Sequence, residues 1–97
     1  MEEEILKCPQ CKSSAHLHLI SASVHRKTDK TTVSNEGITV KQEENRTRGV
    51  TIALEYMCEN YGHHGKIIFQ FHEGEVFIHY ETLSPVGMLD FPDIWRD

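Results

Sequence analysis

Residues 50–58 read VTIALEYMC, and this stretch decides the fold class. Every second side chain is large and apolar, so these side chains would share one side of an extended chain: Val50, Ile52, Leu54 and Tyr56. A period of two residues with β-branched and aromatic side chains is typical of a half-buried strand. The stretch therefore predicts a β-strand, and this strand ends at a cysteine, Cys58.

The same alternation recurs before and after this strand. Residues 15–24 carry it on the N-terminal side, and residues 66–71 and 76–81 carry it on the C-terminal side. Between the last two runs, His72-Glu73-Gly74-Glu75 predicts a hairpin turn in which Gly74 adopts a positive φ. No stretch repeats its apolar residues with the period of an amphipathic helix. The predicted fold class is all-β, with about four or five antiparallel strands.

A polar insert, residues 26–48, separates the first predicted strand from the strand at 50–58. Its apolar residues are few, and only Gly37–Lys41 is predicted as a short edge strand, because its flanks are charged. The rest of the insert is expected to form a loop or a protruding hairpin arm. The domain that contains this insert is predicted over residues 1–84.

The C-terminal tail, residues 85–97, cannot be one long regular element because it contains two prolines. Its large apolar side chains are interleaved with aspartates: Met88, Leu89, Phe91, Ile94 and Trp95. One interpretation is that the tail covers an exposed face of the sheet. The other is that Phe91, Ile94 and Trp95 anchor the tail on a partner protein or on a second copy of the chain.

Length, composition and charge limit the class of protein. A chain of 97 residues and 11.2 kDa holds one domain, and 38% apolar residues are too many for a disordered chain. Ten basic residues against 15 acidic ones give a net charge of −5, which disfavours binding of nucleic acid over the whole surface. The acidic N-terminus and the absence of an apolar run longer than three residues predict a cytoplasmic protein without a membrane segment. Cysteines stay reduced in that compartment.

The strongest local motif is Cys8-Pro9-Gln10-Cys11. Two cysteines with two residues between them can lie on one tight turn, so that both thiolates reach one tetrahedral metal ion. The positive charge of Lys12 favours the ionised form of these thiols. A redox motif of the same spacing would open a helix, whereas loop and strand are predicted after Cys11. The motif therefore predicts one half of a metal site.

The other half is expected in CENYGHH, which begins at Cys58 and lies between two predicted strands. Cys58 would supply the third thiolate, and either His63 or His64 would supply the fourth ligand. The spacing favours His63 because one residue less must be spanned, but it leaves His64 as the alternative. Two glycines, Gly62 and Gly65, would let the backbone turn tightly around the ion.

These two knuckles resemble the zinc-ribbon group, in which a CPxC knuckle and a CxxCGH-like knuckle hold a zinc ion between β-hairpins. The resemblance covers residues 6–15 and 51–80. More loosely, the chain is similar to small ribbon proteins carried by phages and plasmids, in which an FHxG turn follows, here Phe71-His72-Glu73-Gly74. This chain has Tyr61 where that pattern has its fourth cysteine, and a neighbouring histidine is expected to replace it. The resemblance implies a small zinc ribbon with a polar hairpin or loop insert.

The expected cofactor is one structural Zn²⁺ bound by Cys8, Cys11, Cys58 and His63. Three thiolates and one imidazole close a tetrahedral shell and leave no position for a water molecule. We therefore predict that the chain is not an enzyme and takes no small-molecule substrate. The leading hypothesis is a zinc-stabilised protein-interaction or regulatory accessory module, whose partner is another protein or a second copy of the chain.

The alternative is a zinc ribbon that binds nucleic acid through the polar insert. Six basic and four acidic residues give the insert a net charge of +2, whereas the chain from residue 49 onward carries −6. The candidate contacts to a phosphate backbone are basic side chains of the insert: Arg26, Lys27, Lys30, Arg46 and Arg48. Acidic residues are interleaved with them and no aromatic residue lies among them, which predicts weak stacking and a shallow salt dependence.

Overall fold

The computed structural model describes residues 3–12, 17–45, 49–59 and 62–84. Within these ranges the chain forms one antiparallel sheet of six strands and no helix. The strands are β1 (Leu17–His25), β2 (Asp29–Ser34), β3 (Gly37–Gln42), β4 (Val50–Cys58), β5 (His64–His72) and β6 (Glu75–Leu83), and their order across the sheet is β3-β2-β1-β4-β5-β6. The all-β class is confirmed, with six strands instead of four or five.

The polar insert accounts for the difference in strand number. Its two strands, β2 and β3, form a hairpin, and β2 also pairs with β1, so that the hairpin extends the main sheet. The sequence predicted only Gly37–Lys41 as a strand, because β2 reads DKTTVS and has little apolar alternation. Backbone pairing with β1, rather than burial of side chains, places β2 in the sheet.

The second half of the sheet is a meander of β4, β5 and β6. The turn between β5 and β6 is the predicted one: Glu73 and Gly74 have φ values of 49° and 81°. Positive φ at both central residues is the geometry that matches the twist of a two-residue hairpin. Both strands are a few residues longer than the alternation indicated.

The strand register gives the sheet two chemically different faces. Paired residues on neighbouring strands point to the same face, so each face can be followed from β3 to β6. One row of partners is Ile38, Val33, Ala22, Leu54, Ile67 and Tyr80, and the next is Val40, Thr31, Val24, Ile52, Phe69 and Ile78. We call this side the apolar face. The opposite side, the polar face, carries serine, threonine, lysine, glutamate and histidine side chains at most positions.

A β-bulge in β1 keeps the two faces distinct. Leu19 pairs with Tyr56 and Ser21 pairs with Glu55, so that Ile20 has no partner on β4. The extra residue shifts the alternation by one position. Because of this shift, the apolar residues on both sides of the bulge point to the same face.

The core lies at one end of the apolar face. Its buried members are Cys8, Tyr56, Cys58 and Ile67, with Cys11, Leu17 and Phe69 packed against them. The N-terminal segment around Cys8 covers this end of the sheet. The predicted C-terminal tail lies outside the described residues, as do its proposed anchors Phe91, Ile94 and Trp95. None of the described residues builds a helix of the length and hydrophobicity needed to cross a bilayer.

Gly65 was expected in a turn around the ion, but it lies inside β5, opposite Tyr56. A Cβ atom at this position would lie 2.5 Å from the backbone oxygen of Glu81 and 2.7 Å from Tyr56 Oη. Both distances are far shorter than van der Waals contact. A glycine is needed here because the backbone of β6 and the Tyr56 ring approach β5 closely.

Gly65→Ala is therefore expected to lower the free energy of unfolding by about 1–3 kcal/mol, the usual cost of overpacking. Urea unfolding in the presence of saturating zinc measures this change. The control is Lys66→Ala on the polar face, for which we expect a change within about 0.5 kcal/mol. Equal stability of the Gly65→Ala protein and the wild type would contradict the close approach.

Candidate metal centre

The first knuckle, Cys8–Lys12, is a tight turn, as predicted from the motif. The backbone N–H of Lys12 donates a hydrogen bond of 2.8 Å to the carbonyl oxygen of Cys8. Lys12 closes the turn in the left-handed region, with a φ of 60°. This conformation places both thiol groups of the motif on the same side of the turn, facing the end of β4.

The second knuckle, Cys58–His63, joins the end of β4 to the start of β5. The backbone N–H of Cys58 donates a hydrogen bond of 2.8 Å to the carbonyl oxygen of His63. Gly62 has a φ of 64°, which lets the chain reverse within this short connection. Asn60 and Tyr61 lie outside the described residues. Tyr61 is the residue that stands where the ribbon pattern has its fourth cysteine.

The two knuckles bring four potential ligands together. One donor atom from each of Cys8, Cys11, Cys58 and His63 lies within 4.8 Å of all the others. The Sγ atoms of Cys11 and Cys58 are 3.7 Å apart, and Cys8 Sγ lies 3.8 Å from His63 Nδ1. A disulfide bond would require sulfur atoms about 2.05 Å apart. The side chains of Cys8, Cys11 and Cys58 are accordingly thiols and not halves of disulfide bonds.

These separations can be compared with the edges of a zinc tetrahedron. Bond lengths of about 2.3 Å to sulfur and about 2.0 Å to nitrogen give edges of about 3.8 Å between two sulfurs and about 3.5 Å between sulfur and nitrogen. The sulfur–sulfur distance of 3.7 Å and the sulfur–nitrogen distance of 3.8 Å lie within about 0.1 Å and about 0.3 Å of these edges. The donor set therefore fits a single four-coordinate metal ion.

The burial of the four residues is uneven. Cys8 and Cys58 are fully buried, whereas Cys11 and His63 are half-buried. Two of the ligands are thus part of the core of the sheet, and the other two lie towards the surface.

His64, the alternative fourth ligand, points away from the cysteines. Its Nε2 atom lies 2.6 Å from Glu55 Oε2, and its Nδ1 atom lies 3.0 Å from the carbonyl oxygen of Ser84. Neighbouring residues of an extended chain point in opposite directions, and β5 begins at His64. The structure therefore brings His63 to the three cysteines and leaves His64 on the polar face.

Gln10 was overlooked at the sequence level, where it was only a spacer between two cysteines. Its Nε2 atom donates hydrogen bonds to Tyr56 Oη at 3.1 Å and to the carbonyl oxygen of His64 at 2.9 Å. These bonds attach the first knuckle to both β4 and β5. Burial raises the pKa of Tyr56 and outweighs the hydrogen bond from Gln10, which lowers this pKa, while negative charge on the nearby cysteines also raises it. The phenol therefore stays neutral and accepts the bond from Gln10.

The basic residues proposed for nucleic-acid binding are partly engaged with acidic neighbours. Arg26 donates two hydrogen bonds to the Asp29 carboxylate, at 2.8 and 2.6 Å, and Lys30 Nζ lies 3.9 Å from Glu43 Oε2. The hydrogen bonds lower the pKa of Asp29 and raise that of Arg26. Lys27 is exposed, whereas Arg46 and Arg48 lie outside the described residues.

Comparisons with known proteins return no match, whether the chain is compared with family models, with curated proteins or with solved structures. The resemblance to zinc ribbons accordingly rests on the two knuckles alone. Any statement of function has to be argued from the donor set, the two faces of the sheet and their charges.

The two adjacent histidines provide a matched test of the ligand set. We expect His63→Ala to weaken metal binding by more than about 100-fold, beyond the 10- to 100-fold loss typical of residues that only support a ligand. His64→Ala is expected to leave the affinity close to that of the wild type. Cobalt(II) titration followed by absorption spectroscopy measures both, because the bands report tetrahedral coordination and the bound thiolates. The reverse result would assign the fourth ligand to His64.

Proposed function

We propose that Cys8, Cys11, Cys58 and His63 form a structural zinc site. The observation that carries this proposal is the convergence of four donor atoms, each within 4.8 Å of the others, at the buried end of the sheet. Thiolates together with an imidazole are the donor types that zinc prefers, whereas magnesium and calcium prefer oxygen ligands. Such a site also suits a reducing compartment such as the cytoplasm, where thiols are not consumed by disulfides.

The role proposed for the ion is structural and not catalytic. Four protein ligands fill the tetrahedral shell, and a catalytic zinc ion needs a position for water or substrate. Three thiolates also place so much negative charge on the ion that it would polarise a bound group weakly. The donor set thus supports a protein that is not an enzyme.

The energy of metal binding is large compared with what this core can supply. Only six apolar side chains are buried among the described residues, and three of these six belong to the ligand cysteines or to Tyr56 beside them. Structural zinc contributes about 10–16 kcal/mol of apparent binding energy, which equals or exceeds the net stability of a typical domain. The ion would therefore determine whether the sheet is folded.

The biochemical role that we propose is a zinc-stabilised interaction module that binds protein. The net charge of −5 and the ion pairs of Arg26 and Lys30 disfavour a nucleic acid, and a broad apolar face favours a protein surface. One knuckle precedes β1 and the other joins β4 to β5, and this use of two knuckles is the feature that the chain shares with zinc ribbons. Binding of nucleic acid through the insert is the weaker alternative.

Metal removal and ligand substitution test the structural role. A strong chelator, or Cys58→Ser, is expected to abolish the circular dichroism signal of the strands, because the binding energy of the ion is lost. Glu59→Ser is the matched control, because Glu59 directly follows Cys58 in the chain and is exposed. The Glu59→Ser protein should retain both the circular dichroism signal of the strands and one zinc ion per chain. Elemental analysis identifies the metal. A full strand signal in the metal-free wild type would refute the structural role.

A nucleic-acid titration separates the two proposed kinds of partner. We expect the zinc-loaded chain to bind DNA and RNA no more tightly than the non-specific range, with a Kd of about 10⁻⁴–10⁻⁶ M or weaker at physiological salt. Fluorescence anisotropy with labelled oligonucleotides measures this. Tighter binding that is lost when Arg26, Lys27 and Lys30 are all changed to serine would instead establish the alternative.

A further inference from the structure

Most of the apolar face has no cover among the described residues. The first knuckle packs on one end of it only, and apolar side chains beyond that end are exposed on both outer parts of the sheet. They are Val24, Val33, Ile38, Val40, Phe71, Val76, Ile78 and Tyr80. An exposed apolar patch that spans a whole sheet is unusual for a monomer and marks an interaction surface. Sheets are stable as layers that pack on another layer.

The charge of this face indicates what kind of partner it fits. Among the face's described positions in β1 to β6, Asp29 carries the one carboxylate, and Arg26 neutralises it through two hydrogen bonds. The polar face, in contrast, carries Lys30, Glu55 and Lys66 among other charged residues. Two chains of net charge −5 would repel each other across charged surfaces. The apolar face lets identical chains approach without that repulsion.

The size of the face reaches about the lower limit for a specific interface between two proteins. Six strands about 4.8 Å apart span about 24 Å, and six residues of a strand extend for about 20 Å. The projected area is therefore about 480 Å² per copy and about 1,000 Å² for two copies, which reaches the lower range of specific interfaces. Side chains that project from each sheet make the buried surface larger than this flat projection.

The C-terminal tail is a poorer fit to this face. A single extended segment covers about one strand spacing to each side of its axis, or about 10 Å in total. The exposed side chains reach from Ile38 on one edge strand to Ile78 on the other, across the full width of the sheet. The tail also contains Asp90, Asp93 and Asp97, for which the apolar face offers no positive partner. A second sheet matches the face in both width and charge.

We propose that two copies of this chain pack their apolar faces together as a symmetric dimer. The two sheets would form a sandwich with a separation of about 10 Å, as sheets packed face to face do. The contact is self-complementary, since each copy contributes the same residues. This inference rests on the proposed function, because it names the partner of the interaction module.

The test is sedimentation equilibrium of the zinc-loaded full chain over a wide range of protein concentration. We expect twice the chain mass of 11.2 kDa. Ile78→Lys should raise the dissociation constant of the dimer by about 100-fold or more, because a symmetric interface contains the substitution twice. Phe77→Lys is the matched control, because Phe77 is the preceding residue of β6, is 45% exposed against 52% for Ile78, and points to the polar face. It should leave the dimer intact.

Zinc content and circular dichroism of the same samples separate the two proposals. A folded, zinc-loaded chain that stays monomeric overturns the dimer and leaves the zinc site standing. A dimer that Ile78→Lys does not weaken, or that Phe77→Lys weakens equally, also overturns this interface. Open-ended assemblies would indicate pairing of the edge strands β3 and β6 and would equally contradict it. A folded chain without metal refutes the zinc site, whatever its mass.

Discussion

Four potential metal donors lie within 4.8 Å of one another, and their convergence organises the end of the molecule where the core lies. Two of the donors come from the first knuckle, and the other two come from the second knuckle, with Cys11 and Cys58 separated by 47 residues of chain. Tyr56 and Ile67 pack directly against the buried cysteines. Gln10 then links the first knuckle to β4 and β5 by hydrogen bonds. Two of the four candidate ligands, Cys8 and Cys58, are thus part of the core itself.

The rest of the sheet extends away from this point as a single layer. Its backbone pairing is continuous from β3 to β6, but the described side chains bury little apolar surface away from the knuckles. Hydrogen bonds alone contribute modestly to net stability because the unfolded chain forms them with water. A metal at one end and a second layer on the apolar face would supply the two missing contributions. Stability and association are therefore expected to depend on each other in this protein.

Strands with apolar alternation could be predicted from the sequence, and strands without it could not. The stretch at 50–58 and the turn at Glu73-Gly74 were identifiable, because burial and positive φ leave local signals. β2 left no such signal, since its place depends on backbone pairing with β1. The same limit applies to the metal centre. The cysteines are recognisable from their spacing. The choice of His63 over His64 depends on where β5 begins, because the strand starts at His64 and directs that ring away from the cysteines. The role of Gln10 depends on hydrogen bonds to Tyr56 and His64, which are distant from it in the sequence.

The position of Cys58 as the last residue of β4 has a consequence for folding. Successive side chains of a strand alternate between the two faces, so a slip of β4 by one residue against its neighbours would turn Cys58 away from the first knuckle. The same slip would expose Leu54 and Tyr56 on the wrong face. Misaligned pairings of this sheet therefore cannot complete a four-ligand site. Binding of the proposed ion would therefore favour the one alignment of β4 that presents the Cys58 thiolate to the first knuckle, and would disfavour alignments shifted by one residue.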